Sequence, residues 1–91
     1  MGKKRTRLEV IKDILEVIKM KNGRIKPTHI LYKSNLSYAM MEEYLDELKE
    51  KGFIVESEKE GNKTYKITEK GMEYLNKYSL VVNFTESFGL N

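Results

Sequence analysis

A chain of 91 residues, with 17 Lys and Arg against 14 Asp and Glu, a net charge of +3 and no cysteine, is sized for one small domain around one core. The missing thiols exclude a disulfide framework and thiolate metal sites, and the single histidine, His29, excludes a His-rich one. No apolar run approaches the roughly 20 residues that cross a bilayer.

The basic start, Met1 to Arg7, is followed by Glu9, Asp13 and Glu16, which is unlike a secretory signal, so a cytoplasmic protein is expected. From Arg5 to about Met20, the residues Leu8, Ile11, Ile14, Leu15 and Ile18 recur at helical spacing. With a start signal at or beside Thr6, they predict a half-buried first helix. Asn22-Gly23 ends it, because glycine takes the left-handed conformation beyond a helix without steric cost. A short extended piece around Ile25 precedes Pro27, whose fixed φ suits a first turn, so Thr28 to Lys33 forms a short second helix. Ser34 and Asn35 are turn residues, Leu36 plugs the turn, and Ser37 is placed to cap a third helix reaching about Lys51. Met41, Leu45 and Leu48 share one face of that helix, and Gly52 stops it.

The period then changes from helical to alternating. Phe53 to Ser57 and Lys63 to Ile67 read as strands flanking the hairpin loop Glu58-Lys59-Glu60-Gly61-Asn62. Thr68 and Glu69 open a fourth helix, with Met72, Leu75 and Val82 on one apolar face. Residues 80–91 suit a continued helix or an extended tail, of which the helix is favoured, and their apolar side chains are best buried against a partner subunit. The expected fold is α+β, mostly α: a three-helix core, a two-stranded β-wing and a C-terminal helix. Residues 1–78 form the domain and 79–91 a C-terminal helix extension or tail that serves as a dimer contact. The expected core is Leu8, Ile11, Leu15, Ile18, Ile30, Leu31, Met41, Leu45, Leu48, Phe53, Ile54 and Ile67, with Tyr32 and Tyr44 at its edge.

Charge is distributed unevenly. Lys3, Lys4, Arg5 and Arg7 form one basic cluster, and Lys19, Lys21, Arg24, Lys26 and Lys33 form a second in a stretch without acids. A helix-turn-helix presents the first residues of its third helix to base edges, here Ser37, Tyr38, Ala39, Met40 and Glu43. Arg24, Lys26, Thr28, His29 and Lys33, on or beside the second helix, are candidates for phosphates, as are Lys59, Asn62 and Lys63 at the wing. The N-terminal arm Lys3, Lys4, Arg5 and Arg7 can reach phosphates or a minor groove. Taken singly, each cation reads better as a solvated surface residue and Ser37 as a plain helix cap, whereas the cations as a set favour a basic face. Glu42, Glu43, Asp46, Glu47 and Glu50 on the third helix oppose contact with phosphates along its full length.

The segments Asn35-Leu36-Ser37-Tyr38-Ala39, Tyr44-Leu45, Leu48, Lys51-Gly52-Phe53-Ile54 and Tyr65-Lys66-Ile67-Thr68-Glu69-Lys70-Gly71 occur in order. Together they resemble the archaeal winged helix-turn-helix family, which includes small basic DNA-binding proteins, over roughly Lys4 to Tyr78. The resemblance implies binding of double-stranded DNA, sequence-tolerant or at an operator, by a homodimer paired through its last helix. The protein is then a transcriptional regulator or a chromatin-type architectural protein. A competing reading makes the acidic face of the third helix a docking surface for a basic protein. No matched nucleophile and base, no phosphate-cradling glycine loop and no metal-ligand spacing is present, so neither an enzyme nor a cofactor is expected.

Overall fold

The computed structural model describes residues 5–90. Helix α1 spans Arg7–Met20 and begins with a capping box: the Thr6 hydroxyl accepts from the Glu9 amide while the Glu9 carboxylate accepts from the Thr6 amide. Helix α2, Pro27–Ser34, starts at the proline and ends at Asn35, which is left-handed at φ 52° and donates its amide to the Leu31 carbonyl. Helix α3 covers Tyr38–Glu50, capped by Ser37, whose Oγ accepts from the Met40 amide at 3.2 Å. Such a cap contributes about 1 kcal/mol.

Strands β1, Ile54–Lys59, and β2, Asn62–Ile67, pair antiparallel with Ile54 opposite Ile67 and Lys59 opposite Asn62. The loop expected over Glu58 to Asn62 is therefore only Glu60-Gly61. Both residues have positive φ, 52° and 79°, which is the backbone of a tight turn whose twist matches that of the strands. The extended piece at Ile25 pairs with Tyr65 as an isolated bridge, and Asn22 Oδ1 accepts the Ile67 amide at 2.8 Å. The α1–α2 connection is thereby tied to the wing.

Helix α4, Glu69–Ser87, is capped by Thr68, which also donates its hydroxyl to the Gly52 carbonyl at 2.7 Å. Gly71 lets the helix start so close to the sheet: a Cβ there would lie 2.5 Å from the Phe53 carbonyl oxygen and 2.6 Å from Ile67 Cγ1. The helical continuation past residue 80 is observed, and no segment before Gly89 becomes an extended tail.

The core joins Val10, Ile11, Ile14, Leu15 and Ile18 of α1 to Ile25, Ile30, Met41, Leu45, Leu48, Ile54, Tyr65 and Ile67. Leu31 and Phe53, expected in it, are half-buried at its margin together with Tyr44. Two expectations fail. Leu8 lies on the correct face of α1 but in the first turn, where it is 58% exposed beside α4. Tyr32 is not at a core edge but 82% exposed, because α2 buries Ile30 and Ser34 and turns Tyr32 away from them.

Candidate nucleic-acid interface

The connection from α2 to α3 is Asn35-Leu36-Ser37, with Leu36 half-buried against the core as a plug. The left-handed Asn35 reverses the chain, and the Ser37 cap points the new helix outward. Thr28, His29, Tyr32 and Lys33 consequently lie exposed on α2, and Ser37, Tyr38, Ala39 and Met40 lie exposed at the start of α3. Tyr38 is 63% and Met40 44% accessible, and the first turn of α3 carries no acid.

Arg24 and Lys26 are exposed on either side of the buried Ile25, whose bridge to Tyr65 fixes them beside the wing. Lys59 and Asn62 face each other next to the Glu60-Gly61 turn, with Lys63 the next residue along β2, and all three are exposed. Three groups of candidate contacts thus stand on separate elements: the α3 tip, the α2 surface with its preceding cations, and the wing.

The N-terminal arm departs from expectation. The Arg5 guanidinium pairs with Asp13 at 2.6 Å and donates to the backbone carbonyls of Ser34 at 2.6 Å and Asn35 at 3.1 Å. It is a fastener of the helix-turn-helix rather than a free cation. Arg7 pairs with Glu47 and stacks over the Tyr44 ring at 5.5 Å, and the Glu47 carboxylate raises its pKa. Both arginines are candidates for phosphates or a minor groove, and in the chain by itself both are engaged with α1, α2 or α3, Arg7 with its side chain still 56% exposed. Lys3 and Lys4 lie outside the described residues.

Beyond its first turn α3 is acidic. Glu42, Glu43, Asp46 and Glu50 are exposed, and only Glu47 is offset by an arginine. Lys49 reaches Glu56 on β1 at 3.1 Å and lowers the Glu56 pKa. A cleft of about 90 Å³ between α3 and the hairpin brings Glu42, Asp46 and Glu56 around Lys63 and the Tyr65 hydroxyl. Burial pushes the Tyr65 pKa upward, and its hydroxyl donates to Glu56 at 3.2 Å. At the tip, the Glu42 carboxylate raises the Tyr38 pKa. Lys63 is therefore the wing cation most compensated by neighbouring acids, while Lys59 lies at the turn away from that cleft.

The sequence puts Asn22 at a helix end, Tyr65 in a strand and Arg5 in a basic arm, but not the contacts that Asn22 makes to Ile67, Tyr65 to Glu56 and Arg5 to Ser34. For Tyr65 the alternation of β2 was a usable signal, since Tyr65 and Ile67 share the buried face. Asn22 and Arg5 act on residues 45 and 29 positions away, which no local pattern encodes. Among the described residues no group of three or more His, Cys, Asp or Glu is placed to hold a metal ion, and no helix is long and apolar enough to cross a membrane.

Over residues 4–86 the sequence matches the winged helix-turn-helix family. No curated protein matches it. Among solved structures, Sso10a-2, a DNA-binding protein from Sulfolobus solfataricus, superposes with a TM-score of 0.79 at 25% identity, over 92% of this chain and 85% of that one. F-93 of SSV1 gives 0.69 at 21% identity, over 97% and 99% of the two chains. A point mutant of S. aureus MepR bound to an oligodeoxyribonucleotide gives 0.74 at 12% identity, over 87% of this chain and 60% of that one.

Proposed function

This chain belongs to the winged helix-turn-helix family, and from that membership we propose that it binds duplex DNA as a transcriptional regulator or architectural protein. In this reading the tip of α3, Ser37 to Met40, enters the major groove. Thr28, His29 and Lys33 of α2, with Arg24 and Lys26 before it, lie along the phosphates, and the wing contributes Lys59, Asn62 and Lys63 on the flank. By their charge alone, Lys3 and Lys4 are further candidates for phosphate. Arg5 and Arg7 hold the scaffold.

The observation that carries the proposal is the outward tip, exposed and free of acid, beside a stretch of α2 that is basic and also free of acid. The acids of α3 start one turn later. Glu43 stays near enough to the groove to accept a hydrogen bond from cytosine, whereas Asp46 and Glu50 belong outside it.

We further propose a homodimer through α4. Support comes from the exposed Leu80, Val81, Phe84 and Phe88, and from an open groove of about 340 Å³ where Leu8, Tyr78 and Val81 face one another. A second α4 laid along the first would cover both, and a twofold dimer would present two α3 tips to one duplex.

The test is duplex binding followed across salt concentrations. Each phosphate contact adds about 0.9 to the slope of log affinity against log salt, so replacing Lys26 and Lys33 together by alanine should lower it by about two units. An unchanged slope would remove α2 from the backbone, and absence of binding at low salt would remove the proposal.

A second reading, a protein-interaction module, is favoured by the exposed carboxylates of Glu42, Glu43, Asp46 and Glu50. Charge reversal at Glu42, Glu43 and Asp46 separates the two: capture of a basic partner would be lost under this reading, whereas DNA binding would tighten under the first.

A further inference from the structure

The α3 side chains nearest the proposed groove are Tyr38, Ala39, Met40, Glu42 and Glu43, all exposed. Guanine presents acceptors at O6 and N7 in the major groove and is read by Arg or Lys, while adenine is read by Asn or Gln through N6 and N7. None of these residue types stands on the exposed face of α3. Its one cation, Lys49, is half-buried near the far end and directed to Glu56 at 3.1 Å and Asp46 at 3.9 Å. Glu42 and Glu43 can only accept, so they repel the purine acceptors rather than read them. The Met40 amide is already held by Ser37 Oγ.

Besides the hydroxyls of Ser37, which holds the Met40 amide, and of Tyr38, which is turned to the Glu42 carboxylate, the tip offers apolar surface. Ala39 is exposed and Met40 is 44% accessible, at positions where burial in the protein core is not available to them. Thymine alone among the four bases carries an apolar group, its 5-methyl, in the major groove.

We infer that the first turn of α3 reads thymine through its 5-methyl group, with Ala39 and Met40 as the specificity-determining contacts, and does not read guanine. The inference rests on the DNA-binding reading above and assigns that site its base preference. Cytosine and uracil present a bare C5 edge to the same side chains, and guanine presents acceptors to an apolar tip backed by carboxylates.

The experiment compares three duplexes of one mixed sequence at one salt concentration: unmodified, with every thymine replaced by deoxyuracil, and with every guanine replaced by 7-deazaguanine. Removing the methyl groups should weaken binding by about fourfold for each methyl that the tip covers, and removing guanine N7 should leave affinity unchanged. In the double variant Ala39→Ser with Met40→Ser, which removes the apolar contacts without adding a purine-reading amide, the deoxyuracil penalty should vanish, and whatever affinity remains should still fall with salt.

Equal affinity for the thymine and deoxyuracil duplexes would overturn the inference and leave DNA binding standing. A penalty for 7-deazaguanine, or a deoxyuracil penalty that survives in the variant, would overturn it equally. No binding to any duplex would instead defeat the DNA-binding reading itself.

Discussion

Arg5 caps the end of α2 by donating to the carbonyls of Ser34 and Asn35, groups that a helix C-terminus leaves without intrahelical partners. Its other partner, Asp13, is a half-buried carboxylate: burial opposes its charge, but Lys12 and Arg5 together bring its pKa below the ordinary 3.8. A lowered folded-state pKa stabilises the fold above the unfolded value, and that contribution disappears as the pH falls through the folded-state pKa. Arg5→Ala should therefore cost about 2 kcal/mol at neutral pH, the scale of hydrogen bonds made by a charged group. The loss is read from denaturant unfolding, and the difference between wild type and variant should shrink below about pH 4 as Asp13 protonates. A variant as stable as wild type at pH 7 would show that the guanidinium does not secure the turn. The sequence placed Arg5 in a cationic arm because its neighbours in sequence are cations; its neighbours in space are carbonyls, which local reading does not reveal.

At the scale of elements, helix starts were legible and sheet depth was not. Thr6, Ser37 and Thr68 each cap the helix expected to follow, because a cap is a signal confined to a few consecutive residues. The hairpin extends farther than its pattern suggested, since Glu58, Lys59 and Asn62 are polar strand residues whose pairing is set by the Glu60-Gly61 backbone rather than by burial. The contact of α4 with the sheet makes a specific demand at Gly71. Alanine is ordinarily the better helix former by about 1 kcal/mol, but Gly71→Ala drives a methyl against the Phe53 carbonyl and should destabilise the fold by about 1–3 kcal/mol, the usual cost of overpacking. Thermal unfolding reads the sign directly, and a rise in melting temperature would mean that α4 sits farther from β1. Ser37→Ala should cost about 1 kcal/mol by removing the hydrogen bond to the Met40 amide. The α3 tip should lose order with it, so DNA affinity is expected to fall more than it does for an exposed substitution at Glu50.

For the molecule as a whole, charge and apolar surface are segregated. Cations lie before and along α2, carboxylates along the later turns of α3, and apolar side chains along the far half of α4, while the wing mixes both signs, with Glu58 and Glu60 exposed among Lys59 and Lys63. The molecule is elongated, 49 × 32 × 21 Å. Phe84 and Phe88 form an exposed pair with ring centroids 5.0 Å apart. Phe84→Glu with Phe88→Glu should convert a dimer to a monomer in light scattering while leaving helical content and the tip of α3 intact. A wild-type monomer at high concentration would contradict pairing through α4. The overall architecture was readable because the spacing of apolar residues and the order of turns carry it. Which cations remain free was not, because pairing of Arg7 with Glu47 and of Arg5 with Asp13 depends on how α1 lies against α2 and α3.

The most direct measurement of the DNA-binding account is an amide-resolved NMR titration of the full chain with duplex DNA at low salt. Shifts should concentrate at Thr28 to Lys33, Ser37 to Met40 and Lys59 to Lys63, with the Leu80 to Ser87 end of α4 unmoved by DNA. Shifts confined to the acidic later turns of α3, or none at the Ser37 tip, would contradict it.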